Sequence, residues 1–489
     1  MFSYFDWLAV AFIFVIGVLA AIALVVFILD IAQVKDAVLH NYPVIGHFRS
    51  LFTKLGEFFR QYFFALDREE LPFNRAERNW VQKACTDKDN TSAFGSTRLL
   101  TPPGTPIFVN CPFPTLEKDA AATAPMLLGP YCKKPYEAKS FFNISGMSYG
   151  AISRPAVLAL SNGARLAGCW MNTGEGGLSP YHLEGGADLV FQIGTAKYGV
   201  RNVDGSLSDD KLREIAEHEQ VKMFEIKLSQ GAKPGKGGIL PAVKVNPEIA
   251  AIRGIPKWRD SISPNRHPEI DNVDEMLDMI EHIRHVTEKP VGVKCVIGAY
   301  GWLENLCKAI RERGVESAPD FITVDSGDGG TGAAPMPLMD NVGLPIREAL
   351  PMVVDIFHKY QLRERVRIVA SGKLITPTDV AWAISAGADF VNNARGFMFS
   401  LGCIQAMRCN KNTCPTGVTT HKKRLQKGLN PVLKMERVKN YATNMRREVE
   451  VIAHSCGVHA VRGLKRYHVR IMQDNGKSVP MSELYPDTE

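Results

Sequence analysis

Residues 366–396, VRIVASGKLITPTDVAWAISAGADFVNNARG, carry the pattern that decides the fold. Two short apolar runs, VRIVAS and DFVNNA, flank the helical stretch TPTDVAWAISAGA. A strand, a crossover helix and a second strand form the unit from which parallel sheets are built. The segment therefore predicts two parallel strands in one sheet, each followed by a short polar loop.

Six similar runs precede this unit, and helical stretches separate most of them. They are FFNISG (141–146), GCWMN (168–172), DLVFQIG (188–194), KMFEIKL (222–228), PVGVKCVI (290–297) and DFITVDS (320–326). SRPAVLALSNGARLA has Pro155 in its first turn, and NVDEMLDMIEHIRHV begins with Asn272 as a helix cap. Eight such strands in a row predict an α/β fold, a parallel (β/α)8 TIM barrel.

The carboxyl ends of the strands are where a barrel places its chemistry. The loops there are rich in glycine: NTGEGG, KLSQGAKPGKGG, SGDGGTGAA, ASGK and NNARG. Glycine lets backbone N–H groups approach a ligand closely, and barrels usually bind phosphate after strands seven and eight. The long insertion at 229–270, rich in Gly and Pro, is predicted to be functional.

The loop GDGGTG also matches the dinucleotide pattern G-x-G-x-x-G and follows a strand. Pro335 and Pro337 come soon after it, so the helix that a dinucleotide site requires cannot open there. The sequence therefore predicts no nicotinamide-binding domain.

An uncharged run of 23 residues extends from Trp7 to Leu29. As a helix it is about 34 Å long, enough to cross a bilayer of about 30 Å. A signal peptide would have a basic start and a shorter apolar core, whereas this chain begins MFSYFD. The run predicts a single-pass helix in the plasma or cell inner membrane, with a buried globular helix as the alternative. The basic residues that follow place the catalytic part in the cytoplasm; they are Lys35, Arg49, Lys54 and Arg60.

The predicted domain scheme has five parts. They are a tail (1–6), the transmembrane helix (7–29), an amphipathic helical extension (30–100), the barrel (101–430) and a C-terminal helix and tail (431–489). In the extension, apolar residues recur at helical spacing from Phe48 to Phe63. Such a helix lies either on a membrane or against the main domain.

The composition is that of a globular protein, with 489 residues, 45% hydrophobic and 22% charged. The formal net charge of +7 is too modest and diffuse for a nucleic-acid partner; it suits an anionic membrane face or an acidic substrate. Seven of the ten cysteines are scattered, as expected of buried thiols in a reducing compartment.

The other three cysteines, Cys403, Cys409 and Cys414, have the spacing C-x5-C-x4-C and are followed by Pro415. Zinc sites favour paired C-x2-C ligands, so a Cys3His zinc site completed by His421 is the weaker alternative. Three thiolates within twelve residues suit an iron–sulfur cluster that lacks one corner, a [3Fe-4S] cluster. Distant Cys456 is the other conceivable ligand.

Six motifs, in order, resemble the FMN-binding synthase domain of glutamate synthases. They are MSYGAISRPAVLAL, NTGEGG, KLSQGAKPGKGGILPAVKVNPEIA, DGGTGAAP, GLP and LGCIQAMRCNKNTCPTGV. The resemblance covers about residues 100–430, and the anchor together with REELPFNRAERNWV (69–82) is similar to the stand-alone, membrane-attached members of the family. It implies FMN on the barrel, a [3Fe-4S] cluster beside it, and reduction of 2-oxoglutarate to glutamate through iminoglutarate.

The resemblance also implies residue roles. Catalytic roles fall to Glu175, Lys227 and Lys233, and oxoacid binding to Gln230, Lys233 and Arg253. Cluster ligands would be Cys403, Cys409 and Cys414. The residues expected to bind FMN are Met147, Ser148, Asn172, Thr173, Gln192, Lys227, Lys294, Ser326, Gly329, Gly330, Gly372, Lys373, Arg395 and Gly396.

Departures from the family pattern leave the nitrogen source open. A complete glutamate synthase begins with the Cys nucleophile of a glutaminase domain, whereas this sequence begins Met1-Phe2, so no glutaminase domain is expected. Ile239 stands where the family usually has Gln, and IGTAKYGV stands where it usually has SGRFGV. Ammonia or an amine would therefore come from outside, with electrons from an unidentified donor protein, and the chain could be a homo-oligomer. The alternatives are a related flavoenzyme on another oxoacid or amine, similar to N-methylglutamate synthase, and a membrane-tethered electron-transfer flavoprotein.

Overall fold

The computed structural model describes residues 4–33 and 35–486. Three parts of the predicted segments lie outside the described residues: positions 1–3 of the tail, position 34 of the extension and positions 487–489 at the C-terminus. The chain divides into two compact units, one ending at Glu77 and one beginning at Arg78. The domain limits given above stay a prediction.

The first unit begins with the helix Tyr4–Ala32, which contains the predicted apolar run. It is long and apolar enough to cross a membrane, although a signal sequence near an N-terminus has the same properties. Asp30, buried near its end, accepts a hydrogen bond from the Val44 amide at 2.9 Å and pairs with His47 Nε2 at 2.9 Å. The helices that follow are Ala37–Asn41, Gly46–Phe59 and the π-helical turn Arg60–Phe64.

The second unit contains the predicted barrel, and the (β/α)8 fold is confirmed. Eight parallel strands form a closed barrel, in which β8 pairs with β1 through Val391 and Phe142. The strands are β1 (Phe142–Ile144), β2 (Met171–Asn172), β3 (Leu189–Ile193), β4 (Val221–Lys227), β5 (Val291–Val296), β6 (Phe321–Asp325), β7 (Arg367–Ser371) and β8 (Phe390–Asn393). Most of their residues are buried, because the barrel interior covers one face and the helices cover the other.

The helices of this unit surround the barrel or cover its ends. They are Arg75–Cys85 (which spans the division), Arg154–Ala167, Pro180–Glu184, Asp209–Glu217, Pro247–Arg253, Val273–Thr287, Gly301–Arg313, Met336–Asn341, Ile346–Lys359, Pro377–Ser385, Arg395–Ser400, Lys423–Gln426, Pro431–Ser455 and Met481–Leu484. Predicted caps are present, since Asn272 accepts a hydrogen bond from the Glu275 amide and Pro155 lies in the first turn of its helix.

Short peripheral strands complete the unit: Pro106–Phe108, Met126–Leu128, Tyr136–Ala138, Ile239–Leu240, Ser261–Ile262, Val469–Met472 and Ser478–Pro480. The insertion at 229–270 contains the antiparallel pair Ile239–Leu240 and Ser261–Ile262, with the helix Pro247–Arg253 between them. Asn246 caps that helix through the Ile249 amide, and Gly254 ends it with a φ of 65°. The insertion therefore has an ordered core of its own, which fixes the residues that reach the barrel mouth.

Candidate functional site

A cavity opens at the carboxyl ends of the eight barrel strands. Many residues predicted for the site line it: Met147, Ser148, Glu175, Gln192, Lys227, Gln230, Lys233, Arg253, Lys294, Gly330, Gly372, Lys373, Arg395 and Cys409. The predicted residues outside its lining are Asn172, Thr173, Ser326, Gly329, Gly396, Cys403 and Cys414. The barrel and the insertion thus bring most of the predicted oxoacid and flavin residues to one place.

Lys227 and Glu175 form the central ion pair. Lys227 is the last residue of β4, and its Nζ lies 2.9 Å from Glu175 Oε1 and also donates to Gln230. Glu175 lies between two glycines, because a Cβ at Gly238 would be 2.4 Å from Oε1 and one at Gly194 would be 2.6 Å from the Glu175 Cβ. Burial alone would raise the pKa of Glu175, but the ammonium of Lys227 lowers it below its usual value.

Two further cations face the same cavity. Lys233 is 6% exposed, and its ammonium has no hydrogen-bond or ion-pair partner in the described part of the chain. Burial, and then the charge of Lys227, lower the pKa of its amine to about 8. An ammonium held in such a place gains strongly from an incoming carboxylate.

Arg253 ends the insertion's helix and is 4% exposed. Its Nη1 donates to Ser261 Oγ at 3.2 Å and its guanidinium lies 5.0 Å from the ring centre of Tyr198. Among the described residues, its buried Nε has no hydrogen-bond partner. Burial lowers the pKa of Arg253, and nearby Glu175 opposes this. A planar guanidinium with an unpaired N–H donor suits a carboxylate ligand.

Inside the barrel, Glu225 of β4 is hydrogen-bonded to side chains on three other strands, β2, β3 and β6. Its Oε1 accepts from Asn172 at 2.8 Å and from Gln192 at 2.6 Å, and its Oε2 accepts from Thr323 at 2.6 Å. Sequence reasoning missed this carboxylate, whose one signal was a lone Glu within the apolar run KMFEIKL. The network fixes the predicted amides Asn172 and Gln192 beneath the cavity.

Lys294 of β5 lies beside this network and pairs with Asp325 at 3.2 Å. Burial would lower the pKa of Lys294, but the carboxylate of Asp325 raises it above its usual value. Asp325 also accepts from the Gly231 amide at 2.9 Å, which ties the loop after β4 to β6. The lysine is therefore held charged at the inner end of the cavity.

The loops after β6, β7 and β8 pack closely enough to require glycine. A Cβ at Gly372, where φ is 111°, would lie 2.4 Å from the Ser326 Cβ, and one at Gly330 would lie 2.9 Å from Arg395 Nε. Lys373 pairs with Asp328 at 2.8 Å. Glycine backbone and two cations beside the cavity suit a phosphate group, so the residues present fit FMN.

The cysteine loop follows the helix Arg395–Ser400. Cys409 Sγ lies 3.9 Å from Arg395 Nη1, and the pKa of Cys403 is raised mainly by burial and also by the nearby thiols of Cys409 and Cys414. Thiols close together on one loop fit an iron–sulfur cluster as a donor set. Within residues 4–33 and 35–486, however, no three metal-ligating side chains meet at one point.

The alternative metal ligands do not join this loop. His421 Nε2 pairs with the Gly150 carbonyl at 2.7 Å. Cys456 follows the helix Pro431–Ser455, and the neighbouring thiol that acts on its pKa is Cys111. Neither residue completes a ligand set with the three cysteines in the described chain.

Lys244 is a cavity residue that sequence reasoning missed. It is 2% exposed, and its Nζ donates to the Ala151 carbonyl at 2.9 Å and to the Cys409 carbonyl at 3.1 Å. It therefore ties the insertion to the cysteine loop. The only signal in the sequence was a lone lysine inside ILPAVKV.

A family model described as "Conserved region in glutamate synthase" matches residues 108–459. The chain is 40% identical to the glutamate synthase large subunit-like protein YerD of Bacillus subtilis (strain 168), over 96% of this chain and 97% of that one. It is 35% identical to the archaeal-type glutamate synthase (NADPH) of Thermotoga sp. (strain RQ2), over 66% of this chain and 60% of the relative. The archaeal glutamate synthase (NADPH) of Methanocaldococcus jannaschii is 34% identical with the same coverage.

The chain thus spans about 60% of the length of the archaeal-type relatives and nearly all of the Bacillus one. The family model covers most of the barrel unit, including β1 to β8 and the cysteine loop. The chain therefore belongs to the glutamate synthase family and is an oxidoreductase of that family, built on a parallel (β/α)8 barrel.

Proposed function

We propose that this protein reductively aminates 2-oxoglutarate to glutamate through iminoglutarate, with ammonia and electrons supplied from outside. The observation that carries the proposal is the convergence of Lys233, Arg253 and the Lys227–Glu175 pair on one cavity. A dicarboxylate needs two cationic anchors, and a ketone that becomes an amine needs a proton relay beside them.

Substrate binding rests on the two cations. Lys233 would pair with one carboxylate and Arg253 with the other, since both residues line the cavity and, among the described residues, Arg253 Nε has no hydrogen-bond partner. Gln230 precedes Lys233 by three residues, and its side-chain amide, which donates to Thr331 Oγ1 at 3.2 Å, would fix the oxoacid beside Lys227.

Proton handling falls to Glu175. Because Lys227 keeps it ionised, its carboxylate would hold ammonium and accept the proton as ammonia attacks the ketone. The ammonium of Lys227 would then donate a proton to the former carbonyl oxygen, which leaves as water. Both side chains are largely buried, which strengthens their interaction with the substrate.

FMN is the proposed cofactor, and when bound it would supply hydride transfer to the imine carbon. Gly330, Gly372, Lys373 and Arg395 would hold its phosphate end, and the charge of Lys294 would stabilise the reduced, anionic ring. The other flavin residues predicted above keep that role in the proposal. We also propose that electrons enter through a [3Fe-4S] cluster held by Cys403, Cys409 and Cys414. The support for this cluster is that the three side chains are thiols on one loop.

The remaining partners are proposals as well. They are a single-pass membrane anchor at Tyr4–Ala32 with the barrel in the cytoplasm, a separate electron-donor protein and a homo-oligomeric assembly. The anchor is supported by the length and composition of its helix.

One observation favours a second candidate, a related enzyme that uses an alkylamine. Ile239 lines the cavity and follows Gly238, which contacts Glu175. The apolar side chain of Ile239 would contact the methyl group of a methylated amine, whereas ammonia has no apolar group to contact. It would therefore favour the methylated amine.

The deciding experiment mixes the reduced protein with 2-oxoglutarate and labelled ammonium or methylamine under anaerobic conditions. Labelled glutamate supports the main proposal, and N-methylglutamate supports the second. If 2-oxoglutarate neither shifts the flavin spectrum nor reoxidises the flavin, both proposals fail and electron transfer without substrate chemistry replaces them.

A further inference from the structure

A second cavity, of about 620 Å³, lies at the amino-terminal ends of β7 and β8, opposite the site described above. Arg367 opens β7, and Asp389 directly precedes β8. Five cationic and two acidic side chains contribute to the lining: Arg363, Arg367, Arg462, Lys465, Arg466, Glu364 and Asp389. The volume is that of a small-molecule site, which is typically about 300–1,000 Å³.

The two acidic residues leave this charge largely uncompensated. Asp389 is engaged by Arg363 at 2.9 Å. Glu364 is 95% exposed and 4.0 Å from Arg367, a distance at which water screens the pair. Arg466 already pairs with Asp355 at 2.5 Å, outside the lining. Among the described residues, Arg462 and Lys465 therefore form no ion pair with a carboxylate, and Arg367 has only the exposed Glu364 at 4.0 Å.

The guanidinium of Arg462 has N–H donors that no described residue accepts. Its guanidinium lies 5.0 Å from the ring centre of Phe390, and its Nη1 donates to the Asp389 carbonyl. Its Nε and Nη2 are buried, and neither has a hydrogen-bond partner in the part of the chain that the structure describes. Burial lowers the pKa of Arg462; the carboxylate of Asp389 opposes this, and the charges of Arg367 and Arg363 add to the lowering. Buried donors without partners and mutually repelling cations are costly unless an anion joins them.

We propose that this cavity binds a phosphate group, carried by a small molecule or free in solution. Nε and Nη2 form the edge of a planar fork that matches two oxygens of a phosphate, and Arg367 and Lys465 supply the remaining charge. Lys465 and Tyr467 are exposed, so the ligand can enter from solvent. The site lies at the end of the barrel opposite the proposed substrate cavity, and the two linings share no residue.

The test is equilibrium dialysis of the flavin-loaded full chain against inorganic phosphate and, separately, against glycerol 3-phosphate, at constant ionic strength. We expect Arg462→Met to weaken binding at least tenfold. Arg424→Met serves as the matched control, because Arg424 is exposed and outside this lining. Tighter binding of the ester assigns the organic source, and equal or weaker binding assigns free phosphate.

Two results overturn the proposal. One is a parent protein that binds neither probe, and the other is an Arg462→Met protein that binds as the parent does. If Arg462→Met does not fold, Lys465→Met replaces it, because Lys465 is exposed and not part of the core. Weakening of several-fold is then expected, and unchanged binding is again contrary.

Discussion

Lys227 and Glu175 join the ends of two strands that are not neighbours in the barrel, at 2.9 Å across the end of β3. The space for Glu175 is created by Gly194 and Gly238. The ion pair is thus set by backbone on both sides rather than by flexible side chains. A methyl group added at either glycine should therefore displace Glu175, the proposed proton acceptor, while leaving its carboxylate chemically unchanged.

Gly238→Ala is the first prediction. The added methyl would lie 2.4 Å from Glu175 Oε1, so the carboxylate must move away from Lys227. A positioned general base contributes about 10²–10⁴-fold, and we expect product formation to fall at least about tenfold. Flavin content should be unchanged. Gly298→Ala is the control, since nothing lies within 4 Å of its added Cβ. Equal turnover in the two variants would count against the role of Glu175.

Lys233→Ala should abolish the response of the flavin spectrum to 2-oxoglutarate at concentrations that shift the parent. A charge-assisted contact in a dry site contributes about 1.5–3 kcal/mol, so the Kd should rise roughly ten- to hundredfold. Flavin content and reduction by dithionite should stay normal. Lys236→Ala, three residues along the same loop and exposed, is the matched control. A Lys233→Ala titration that overlays the parent's would remove Lys233 from the site.

Binding of 2-oxoglutarate should weaken as the pH rises through about 8. The pKa of Lys233 is lowered to about 8, so its amine is charged below that pH and neutral above it. Above pH 8 the Kd should rise by up to about tenfold per pH unit. Lys233→Arg keeps its charge throughout this range and should flatten the profile. A parent profile that is flat from pH 7 to 9.5 contradicts the assignment.

Cys409→Ser should remove iron and the paramagnetic signal of the oxidised cluster while FMN stays bound. The thiol lies beside Arg395 on the cysteine loop, and a hydroxyl is a poor ligand for iron in such clusters. Cys111→Ser is the control, because Cys111 lies away from that loop beside Ser455. Stoichiometric zinc without iron in the parent would favour the zinc alternative instead.

Deleting residues 1–30 should give a soluble, flavin-loaded protein, because the deletion removes the apolar helix and leaves every barrel strand intact. Membrane fractionation of the two forms is the measurement. A reporter fused after Glu489 should remain inaccessible from outside the cell. Exposure of that reporter outside would reverse the proposed orientation, and a cleaved N-terminus would identify a signal sequence.

The fold was predictable because parallel barrel strands are buried on both faces and read as short apolar runs. Seven of the eight predicted runs contain the observed strand, and the fourth, 222–228, begins one residue later than its strand, Val221–Lys227. The pair Ile239–Leu240 and Ser261–Ile262 was not predicted, because two-residue strands within a loop leave no periodic signal.

The candidate site was harder to predict from the sequence than the fold. Lys227 and Lys294 could be placed from their positions near strand ends, but the inclusion of Arg253 came from family resemblance, since a helix inside the insertion carries it to the cavity. Lys244 and Glu225 were missed because a single charged residue in an apolar run does not reveal its partner. Their partners lie on other strands and loops, which only the folded chain brings together.

The pairing of β8 with β1 has a consequence for synthesis of the protein on the ribosome. Val391 and Phe142 lie at opposite ends of the barrel sequence, so the sheet cannot close until nearly the whole unit has been translated. By then the N-terminal helix has long left the exit tunnel, whereas the cysteine loop and the helix Pro431–Ser455 have still to follow. Cofactors can therefore be loaded only after translation of the barrel, and a chain truncated before residue 390 should never become yellow.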